Sequence, residues 1–427
     1  MVYFQSLTKA ELAELIKPLS RKVPRSVAAQ LETLSPEERA PIEAELEKKA
    51  EKQAKYRAQQ IFRWVYQRFV TEWDEMSDLS KELRAFLKEN VQIYRLTERH
   101  SRQALDGTHK FLWDLHDGKT IESVIIPAAL AEKEEDAFDV KPTAGRPSEE
   151  KLDSVHWKRL TACISSQVGC AMGCKFCLTG VQGLDRSLEA YEIVTQIFEL
   201  RRLAPLTNIV FMGMGEPLHN LKNVIQACKI FLDEDGFNFS KRKVTVSTSG
   251  LVPAIDELGK SVDVSLAISL NGTTDEQRSM VMPVNKKWNL EELLAACRRF
   301  PLGSHRRITF EYVMLKDVND TLQDAARIIQ LTRGIPSKLN LIPFNEHSGS
   351  VYKRPSDDVV RKFQKYLLDR GVTATVRISR GRDILAACGQ LRSIFGTARG
   401  TEKHKDWKPL PVIQPHEIQG SNQAQQS

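Results

Sequence analysis

The chain has 427 residues, of which 41% are hydrophobic and 27% are charged. These proportions exclude a wholly disordered chain, a collagen-like fibre and a coiled-coil rod, and the length suggests about two to three domains. The 62 Lys and Arg against 55 Asp and Glu give a net charge of +7, which permits a polyanionic partner such as RNA without demanding one. The sequence shows no run of about 18 apolar residues and no signal segment, so we expect a cytoplasmic protein without a membrane span.

The first 95 residues predict a helical accessory domain. Residues 37–69 lack Gly and contain one early Pro, so they predict a long helix. Ser35 followed by Pro36 and Glu38 is a helix-start pattern, because a Ser side chain accepts hydrogen bonds from free backbone N–H groups. Apolar residues recur at helical spacing near the end of this stretch and predict one buried stripe: Ile61, Trp64, Val65 and Phe69.

Residues 96–157 predict a small β element followed by an acidic loop. The strand-like runs 109–115 and 120–126 meet around Asp117-Gly118, a pair that suits the left-handed dihedrals of a tight hairpin turn. Residues 131–157 are rich in acidic residues, Pro and Gly and cannot support a core. We therefore expect a mobile surface insertion there.

Residues 158–395 alternate strand and helix patterns. Alternation of this kind predicts a parallel sheet, and six or more units predict a full or partial barrel, here a partial (β/α)6 barrel of the TIM type. Chemistry in such barrels lies at the C-terminal ends of the strands. The predicted strands are 159–165, 207–212, 243–248, 263–270, 307–314, 338–343 and 373–378. The predicted helices include 188–203, 220–233, 289–299, 320–333 and 355–370. Residues 396–427 are polar and predict a loose tail.

Three of the seven cysteines lie within eight residues, directly after the first barrel strand: Cys170, Cys174 and Cys177. An odd count in a long chain without a signal peptide favours metal or redox chemistry over a disulfide framework. Thiolates favour zinc or iron–sulfur clusters, but structural zinc and ferredoxin-type clusters both use four protein ligands. A three-cysteine site leaves one iron open for a substrate, and structural zinc is the alternative. Cys228 and Cys297 lie in Ala-rich amphipathic patterns and predict buried core thiols.

The CxxxCxxC spacing, with Phe176 before the third cysteine, resembles the radical S-adenosylmethionine (SAM) superfamily. The resemblance implies a [4Fe-4S] cluster whose open iron holds the amino and carboxylate groups of SAM. Polar segments follow four predicted strands, where the superfamily has its SAM contacts. Alone, each could be a turn, and a Gly-Glu pair could be a turn with a surface Glu. At the same end of successive strands they predict a site. The residues concerned are Gly215, Glu216, Ser247, Ser269, Leu270, Asn271 and Asn345.

Two further cysteines, Cys163 on the first barrel strand and Cys388 far along the chain, stand in segments that resemble the RlmN-type RNA adenine-C2 methyltransferases. The resemblance runs from about residue 54 to residue 395 and keeps its motifs in order. The motifs include residues 56–61, 122–127, 164–170, 213–217, 246–250, 282–287, 310–314 and 386–391. It implies as substrate one adenosine in the peptidyl-transferase region of 23S rRNA and the purine 3′ of a tRNA anticodon. It also implies a flavodoxin or ferredoxin as electron donor.

The resemblance implies a mechanism with two molecules of SAM. One SAM methylates Cys388, and a second is cleaved to a radical that takes a hydrogen atom from this methyl group. The carbon radical adds to C2 of adenine and leaves the RNA tethered to Cys388. Loss of the C2 proton then lets Cys163 attack the Cys388 sulfur, which releases 2-methyladenosine and leaves a Cys163–Cys388 disulfide. Glu122 occupies the position that the family assigns to a base or a substrate contact, and a strand-surface Glu is the alternative.

Two other functions stay open. The first is that of the C8-methylating relative that confers antibiotic resistance, which shares these cysteines. At residues 215–217 this chain has Gly-Glu-Pro, where that relative typically has Gly-Glu-Ala. At residues 247–250 it has Ser-Thr-Ser-Gly, where the relative has Ser-Thr-Ile-Gly. A zinc-stabilised RNA-binding module without catalysis is the second. Asn271 stands where many relatives have His, and its amide can still form hydrogen bonds. The basic tracts 201–202, 241–243 and 306–307 suit phosphate contacts or solvated faces equally.

Overall fold

The computed structural model describes residues 1–21, 23–128, 159–347, 350–377 and 379–391. The predicted acidic insertion at 131–157 and the predicted tail at 396–427 lie outside the described residues. Within the described part of the chain, no helix combines the length and the hydropathy that a membrane crossing requires. The division of the chain into domains at residues 95, 157 and 395 stays a prediction.

Four helices form the N-terminal region: α1 (Lys9–Ser20), α2 (Arg25–Thr33), α3 (Pro36–Tyr66) and α4 (Lys81–Asn90). The predicted long helix exists as α3, and it begins at a capping box in which Ser35 and Glu38 exchange hydrogen bonds. Of the predicted stripe, Ile61 and Val65 are fully buried, whereas Trp64 and Phe69 are only partly buried. Helix α1 packs along α3 and begins at a second capping box, formed by Thr8 and Glu11.

The strands are, in chain order, β1 (Val2–Tyr3), β2 (Val91–Gln92), β3 (Thr97–Gln103), β4 (His109–Asp114), β5 (Thr120–Ala128), β6 (Arg159–Cys163), β7 (Gln167–Gly169), β8 (Leu184–Ser187), β9 (Asn208–Phe211), β10 (Val244–Thr248), β11 (Ser265–Ser269), β12 (Ile308–Met314), β13 (Ser337–Pro343) and β14 (Ala374–Val376). Ten of them form one sheet in the order β14-β13-β12-β11-β10-β9-β6-β5-β4-β3. The strands from β6 to β14 in this sheet pair in parallel, and β5, β4 and β3 extend it in antiparallel fashion.

This topology confirms the predicted α/β class with a parallel sheet. The two end strands, β14 and β3, do not pair with each other in the part of the chain that the structure describes, so the sheet there is open. The predicted hairpin is confirmed as the antiparallel pair β4 and β5. It also extends the barrel sheet, because β5 pairs with β6. In that pairing Val124 stands opposite Cys163, which places Glu122 and Cys163 on neighbouring strands.

The helices that alternate with the strands after β6 are α5 (Leu178–Gln182), α6 (Ala190–Leu203), α7 (Leu221–Leu232), α8 (Val252–Ser261), α9 (Asp275–Val281), α10 (Leu290–Arg299), α11 (Leu322–Leu331) and α12 (Asp357–Leu368). Cys228 in α7 and Cys297 in α10 are buried in the core, as predicted. Asp235 follows α7 and joins this layer to the N-terminal helices. Its carboxylate accepts hydrogen bonds from Lys9 on α1 at 2.6 Å and from Arg63 on α3 at 2.7 Å.

Candidate active site

The three clustered cysteines lie in the loop between β7 and α5. Cys174 is buried, Cys170 and Cys177 are half-buried, and all three line one cavity of about 160 Å³. Burial raises the pKa of each thiol, that of Cys170 to about 12, so an electrophilic metal centre is needed to hold them as thiolates at neutral pH. No three His, Cys, Asp or Glu side chains in the described residues gather around one point closely enough to hold a single ion.

The polar strand-end residues converge on the same cavity. It is lined by Gly215, Glu216, Ser247, Ser269, Asn271 and Asn345, together with Cys388. Leu270 does not line it: its side chain is fully buried in the hydrophobic core. The C-terminal ends of the parallel strands therefore bring together most of the predicted site residues, which are spread over more than two hundred positions, from Cys170 to Cys388.

Glu216 is a buried carboxylate held between two of these strand-end loops. Its Oε1 accepts from the backbone N–H of Leu218 at 3.1 Å, and its Oε2 accepts from the backbone N–H of Ser249 at 2.8 Å. Burial raises the pKa of Glu216, and the backbone N–H groups act in the opposite direction. A cationic group in the cavity would compensate its buried charge.

Gly215 lines the cavity and also allows close packing behind it. Its φ is +99°, and a Cβ added there would lie 2.6 Å from Cβ of Gln167. Gln167 in turn accepts a hydrogen bond from the backbone N–H of Glu216 at 2.9 Å. The glycine therefore allows the β9 loop to close on Gln167 and so places Glu216 at the cavity.

Three buried polar atoms around the cavity have no hydrogen-bond partner in the described protein: Ser249 Oγ, Glu311 Oε2 and Asn345 Oδ1. Because buried polar atoms are nearly always paired, such a set indicates a polar ligand. The ammonium, carboxylate and hydroxyl groups of SAM match these atoms, so the chain fits this cofactor. Sequence reasoning missed Ser249 and Glu311, although both stand inside motifs singled out for the family resemblance.

Asn271 differs from Asn345 because the structure already uses its side-chain amide. Its Oδ1 accepts from the backbone N–H of Val313 at 2.7 Å, and its Nδ2 lies 3.2 Å from the sulfur of Met282. Its φ is +52°, in the left-handed region that Asn tolerates better than most residues. At this position Asn supports the turn after β11 by bonds within the chain.

Arg278 is a fully buried cation that sequence reasoning missed. Its guanidinium donates to the carbonyl oxygens of Ser249 at 2.6 Å, Ser269 at 3.1 Å and Leu270 at 2.9 Å, and also to Oδ1 of Asn285. Burial lowers the pKa of Arg278 to about 10. This one side chain ties together the loops that end β10 and β11, and so it fixes two walls of the cavity.

The Cys388 loop lies directly on the clustered cysteines. The carbonyl of Gly389 accepts from the backbone N–H of Leu178 at 2.7 Å, one residue after Cys177. Asn345 donates through Nδ2 to the carbonyl of Cys388 at 3.2 Å. These bonds hold the half-buried Cys388 at the rim of the cavity that Cys170, Cys174 and Cys177 line.

Cys163 and Cys388 are free thiols that interact electrostatically. Cys163 is buried at the end of β6, and burial together with the negative charge of Cys388 raises its pKa to about 12. Arg377, which follows β14, opposes this charge: the thiolate of Cys388 raises the pKa of the Arg377 guanidinium, as do Glu311 and Cys163. Arg377 is, after Arg278, the second cation of the site that sequence reasoning missed.

Glu122 is buried, so the interpretation as a strand-surface residue is wrong. It forms an ion pair with Lys110 of β4 at 3.0 Å, and its backbone carbonyl accepts from Ser165 Oγ at 2.6 Å. Lys110 also donates to the carbonyl of Leu385 in the Cys388 loop at 3.2 Å. The structure thus connects Glu122 to the Cys388 loop through Lys110.

Comparisons with known proteins agree with this geometry. The profile of the radical SAM superfamily matches residues 164–329, and that of the ribosomal RNA large subunit methyltransferase N-terminal domain matches residues 40–93. The dual-specificity RNA methyltransferase RlmN of Geotalea uraniireducens is 52% identical over 338 residues, which cover 79% of this chain and 90% of that protein. That of Geobacter sulfurreducens is also 52% identical, over 79% of this chain and 86% of that protein.

A solved structure shares the fold over most of its length. The crystal structure of a radical SAM methyltransferase from Sphaerobacter thermophilus matches with a TM-score of 0.72 and 38% identity, over 92% of this chain and 99% of that chain. The match extends from the barrel to the N-terminal helices, so the two regions occur together in both proteins.

Proposed function

This chain belongs to the RlmN family of radical SAM RNA methyltransferases, and from that premise we propose that it methylates C2 of an adenosine in 23S rRNA and in tRNA. The observation that carries the proposal is the position of Cys388. It lines the cavity of the three clustered cysteines and interacts with Cys163. We also propose that a flavodoxin or a ferredoxin supplies the electrons for the reaction and that the protein works in the cytoplasm.

The cofactors of the family are a [4Fe-4S] cluster and SAM. Cys170, Cys174 and Cys177 would hold the cluster, while Glu216 and the unpartnered oxygens of Ser249 and Asn345 would bind SAM. When bound, these cofactors supply a methyl group and the one-electron chemistry that activates it.

Cys388 would carry the methyl group, because the base itself is a poor nucleophile. Adenine C2 lies between two ring nitrogens and is electron-poor, so it does not attack the methyl of SAM. A thiolate does so readily, and the Arg377 guanidinium interacts electrostatically with the sulfur of Cys388. The side chain then holds the methyl carbon against the base until the new carbon–carbon bond has formed.

Cys163 would release the product from Cys388. Its thiolate gives an electron pair to the Cys388 sulfur and forms a disulfide, while the bond from that sulfur to the methylene carbon breaks. The C2 proton leaves the base before this attack. The electron pair of the broken bond then goes to the methylene carbon, which takes up a proton and becomes the methyl group of the product. Because the pKa of Cys163 is about 12, its proton must pass to a nearby acceptor, and Glu122 on the neighbouring strand is the carboxylate we assign to proton transfer.

The test is nucleoside mass spectrometry of unmodified 23S rRNA fragment and tRNA after incubation with anaerobically reconstituted protein, SAM and a reductant. We expect 2-methyladenosine from the wild type and none from Cys388→Ala. The variant Cys163→Ala should accumulate a covalent protein–RNA adduct, and Cys228→Ala, which changes a buried thiol outside the site, should behave as the wild type. A peak of 8-methyladenosine would contradict the C2 assignment, and an intact cluster without any methylated base would contradict the RNA substrate.

A further inference from the structure

A second and larger cavity, of about 520 Å³, lies along the inner side of the sheet. It meets the cofactor cavity at a shared wall formed by Met212, Glu311, Ile342, Asn345, Arg377 and Cys388. From Cys388 it extends toward the N-terminal ends of the parallel strands, the end opposite the clustered cysteines. Cys388 therefore faces two chambers, and only one of them contains the residues that fit the cofactors.

Four exposed cations line the far end of this cavity, and we call them the mouth cations: Arg159, Arg242, Arg307 and Lys338. Each lies at the N-terminal end of a different parallel strand, namely β6, β10, β12 and β13. Arg377 lies at the shared wall, Arg380 also lines the cavity, and Glu311 is the one carboxylate among the described residues that line it. Small polar side chains occupy the wall in between: Thr161, Asn208, Thr245, Ser265 and Thr309.

The mouth cations differ from the basic residues beside them in sequence. Lys241 donates to Asp263 at 2.7 Å, and Arg306 also pairs with Asp263. Arg242 and Arg307 directly follow these two residues but line the cavity. Within the residues that the structure describes, no ion pair joins a mouth cation to a carboxylate, whereas Lys241 and Arg306 are both paired.

We propose that the mouth cations bind the phosphates that flank the target nucleotide, and that this nucleotide reaches Cys388 through the larger cavity. The inference rests on the proposed function and adds to it the route of the RNA strand. Four separate cations around one opening suit a polyanion, because each can contact a different phosphate and release a condensed counterion. The cavity volume lies within the roughly 300–1,000 Å³ of ligand-binding pockets, which allows a flipped-out nucleotide to enter.

The experiment compares RNA binding by variants of the reconstituted holoenzyme. The variants Arg242→Gln, Arg307→Gln and Lys338→Gln each remove one mouth cation, and Lys241→Gln is the matched control that removes its paired neighbour. The dissociation constant for a 23S rRNA fragment is measured at several salt concentrations. We expect each mouth variant to bind about 3- to 10-fold more weakly, with a salt slope reduced by about one, and the control to remain within about twofold of the wild type.

A second readout separates this inference from the proposed function. Methylation of Cys388 by SAM without RNA, followed by intact-protein mass spectrometry, should be unchanged in every variant, which shows that folding and cofactor binding are preserved. Unchanged RNA binding by the mouth variants, or an equal loss in Lys241→Gln, would overturn the route through the mouth. If flavodoxin reduced the mouth variants more slowly while their RNA binding stayed intact, the mouth cations would instead bind an acidic protein partner. Failure of the wild type to bind or methylate RNA would refute the proposed function itself.

Discussion

The ammonium group of Lys110, a partly buried side chain, lies 3.0 Å from the carboxylate of Glu122, which is fully buried. The two residues stand on the paired strands β4 and β5. The same ammonium donates to the carbonyl of Leu385, three residues before Cys388. A single lysine therefore neutralises the carboxylate we assign to proton transfer and fixes the loop that carries the methyl group.

Replacing Lys110 should destabilise the protein more than a surface change does. In Lys110→Met the Glu122 carboxylate stays buried without this cation, so we expect a loss of about 3 kcal/mol in the free energy of unfolding. The double variant Lys110→Met/Glu122→Gln should recover much of it, because no buried charge is left. Urea unfolding followed by circular dichroism measures both losses. The control is Lys119→Met, which breaks a more exposed ion pair with Asp185 and should cost about 0.5 kcal/mol. If the double variant lost as much stability as the single variants Lys110→Met and Glu122→Gln together, the two side chains would not be energetically coupled.

Gly215 and Gly118 allow backbone strain to be separated from packing. Both have positive φ, but a Cβ at Gly118 meets no atom within 4 Å, whereas at Gly215 it would lie 2.6 Å from Gln167. Gly118→Ala should therefore cost about 1 kcal/mol, from the left-handed backbone alone. Gly215→Ala should cost about 2 kcal/mol more, because the loop must move away from Gln167. Gly215→Ala should also weaken SAM binding, since Glu216 moves with this loop. If both variants lost the same free energy of unfolding and SAM affinity were unchanged, the loop would accommodate the added methyl group without cost.

The parallel sheet could be predicted because its signals are local. Each barrel strand is a short apolar run that ends in a polar turn, and the strand predicted at 307–314 is β12 (Ile308–Met314). Strand β3 gave no such signal, because Thr97–Gln103 has no buried residue and forms through its pairing with β4. A strand that depends on its neighbour for its hydrogen bonds leaves little pattern in its own residues.

The residues of the candidate site likewise include some that could be predicted from local sequence signals and some that could not. The cysteines and the polar strand ends lie in short motifs with fixed spacing, so they could be predicted. Arg278 and Arg377 could not, because each acts through groups that are distant in sequence: Arg278 through backbone carbonyls, and Arg377 through Cys163 and Cys388. Backbone carbonyls are present at every position, so a buried cation that binds them cannot be told from a solvated one by sequence alone.

The reactivity of Cys163 toward iodoacetamide should depend steeply on pH. With a pKa of about 12, its thiolate fraction rises about tenfold for each pH unit between about pH 7 and pH 10. At fixed pH, Arg377→Gln should slow alkylation because it removes a positive charge that lowers this pKa. Cys388→Ala should speed alkylation because it removes the negative charge that raises the pKa. Mass spectrometry of peptides from the cluster-loaded protein measures the rate, with Cys228 as the internal reference. The same direction of change in both variants would contradict the electrostatic assignment.

The attachment of the N-terminal helices should weaken at low pH through Asp235. Burial acts to raise the pKa of this carboxyl, but its hydrogen bonds to Lys9 and Arg63 hold the pKa below its usual value. The resulting stabilisation is present above about pH 4 and is lost as the pH falls through the lower, folded-state pKa. Asp235→Asn should therefore lower the free energy of unfolding by about 2 kcal/mol at neutral pH, and the difference from the wild type should shrink in strong acid. Asp256→Asn, which breaks the exposed pair with Arg299, is the control and should cost much less than Asp235→Asn, because solvent screens the pair. Urea unfolding across this pH range measures the difference, and a gap that stays constant into strong acid would show that Asp235 acts by packing and not by charge.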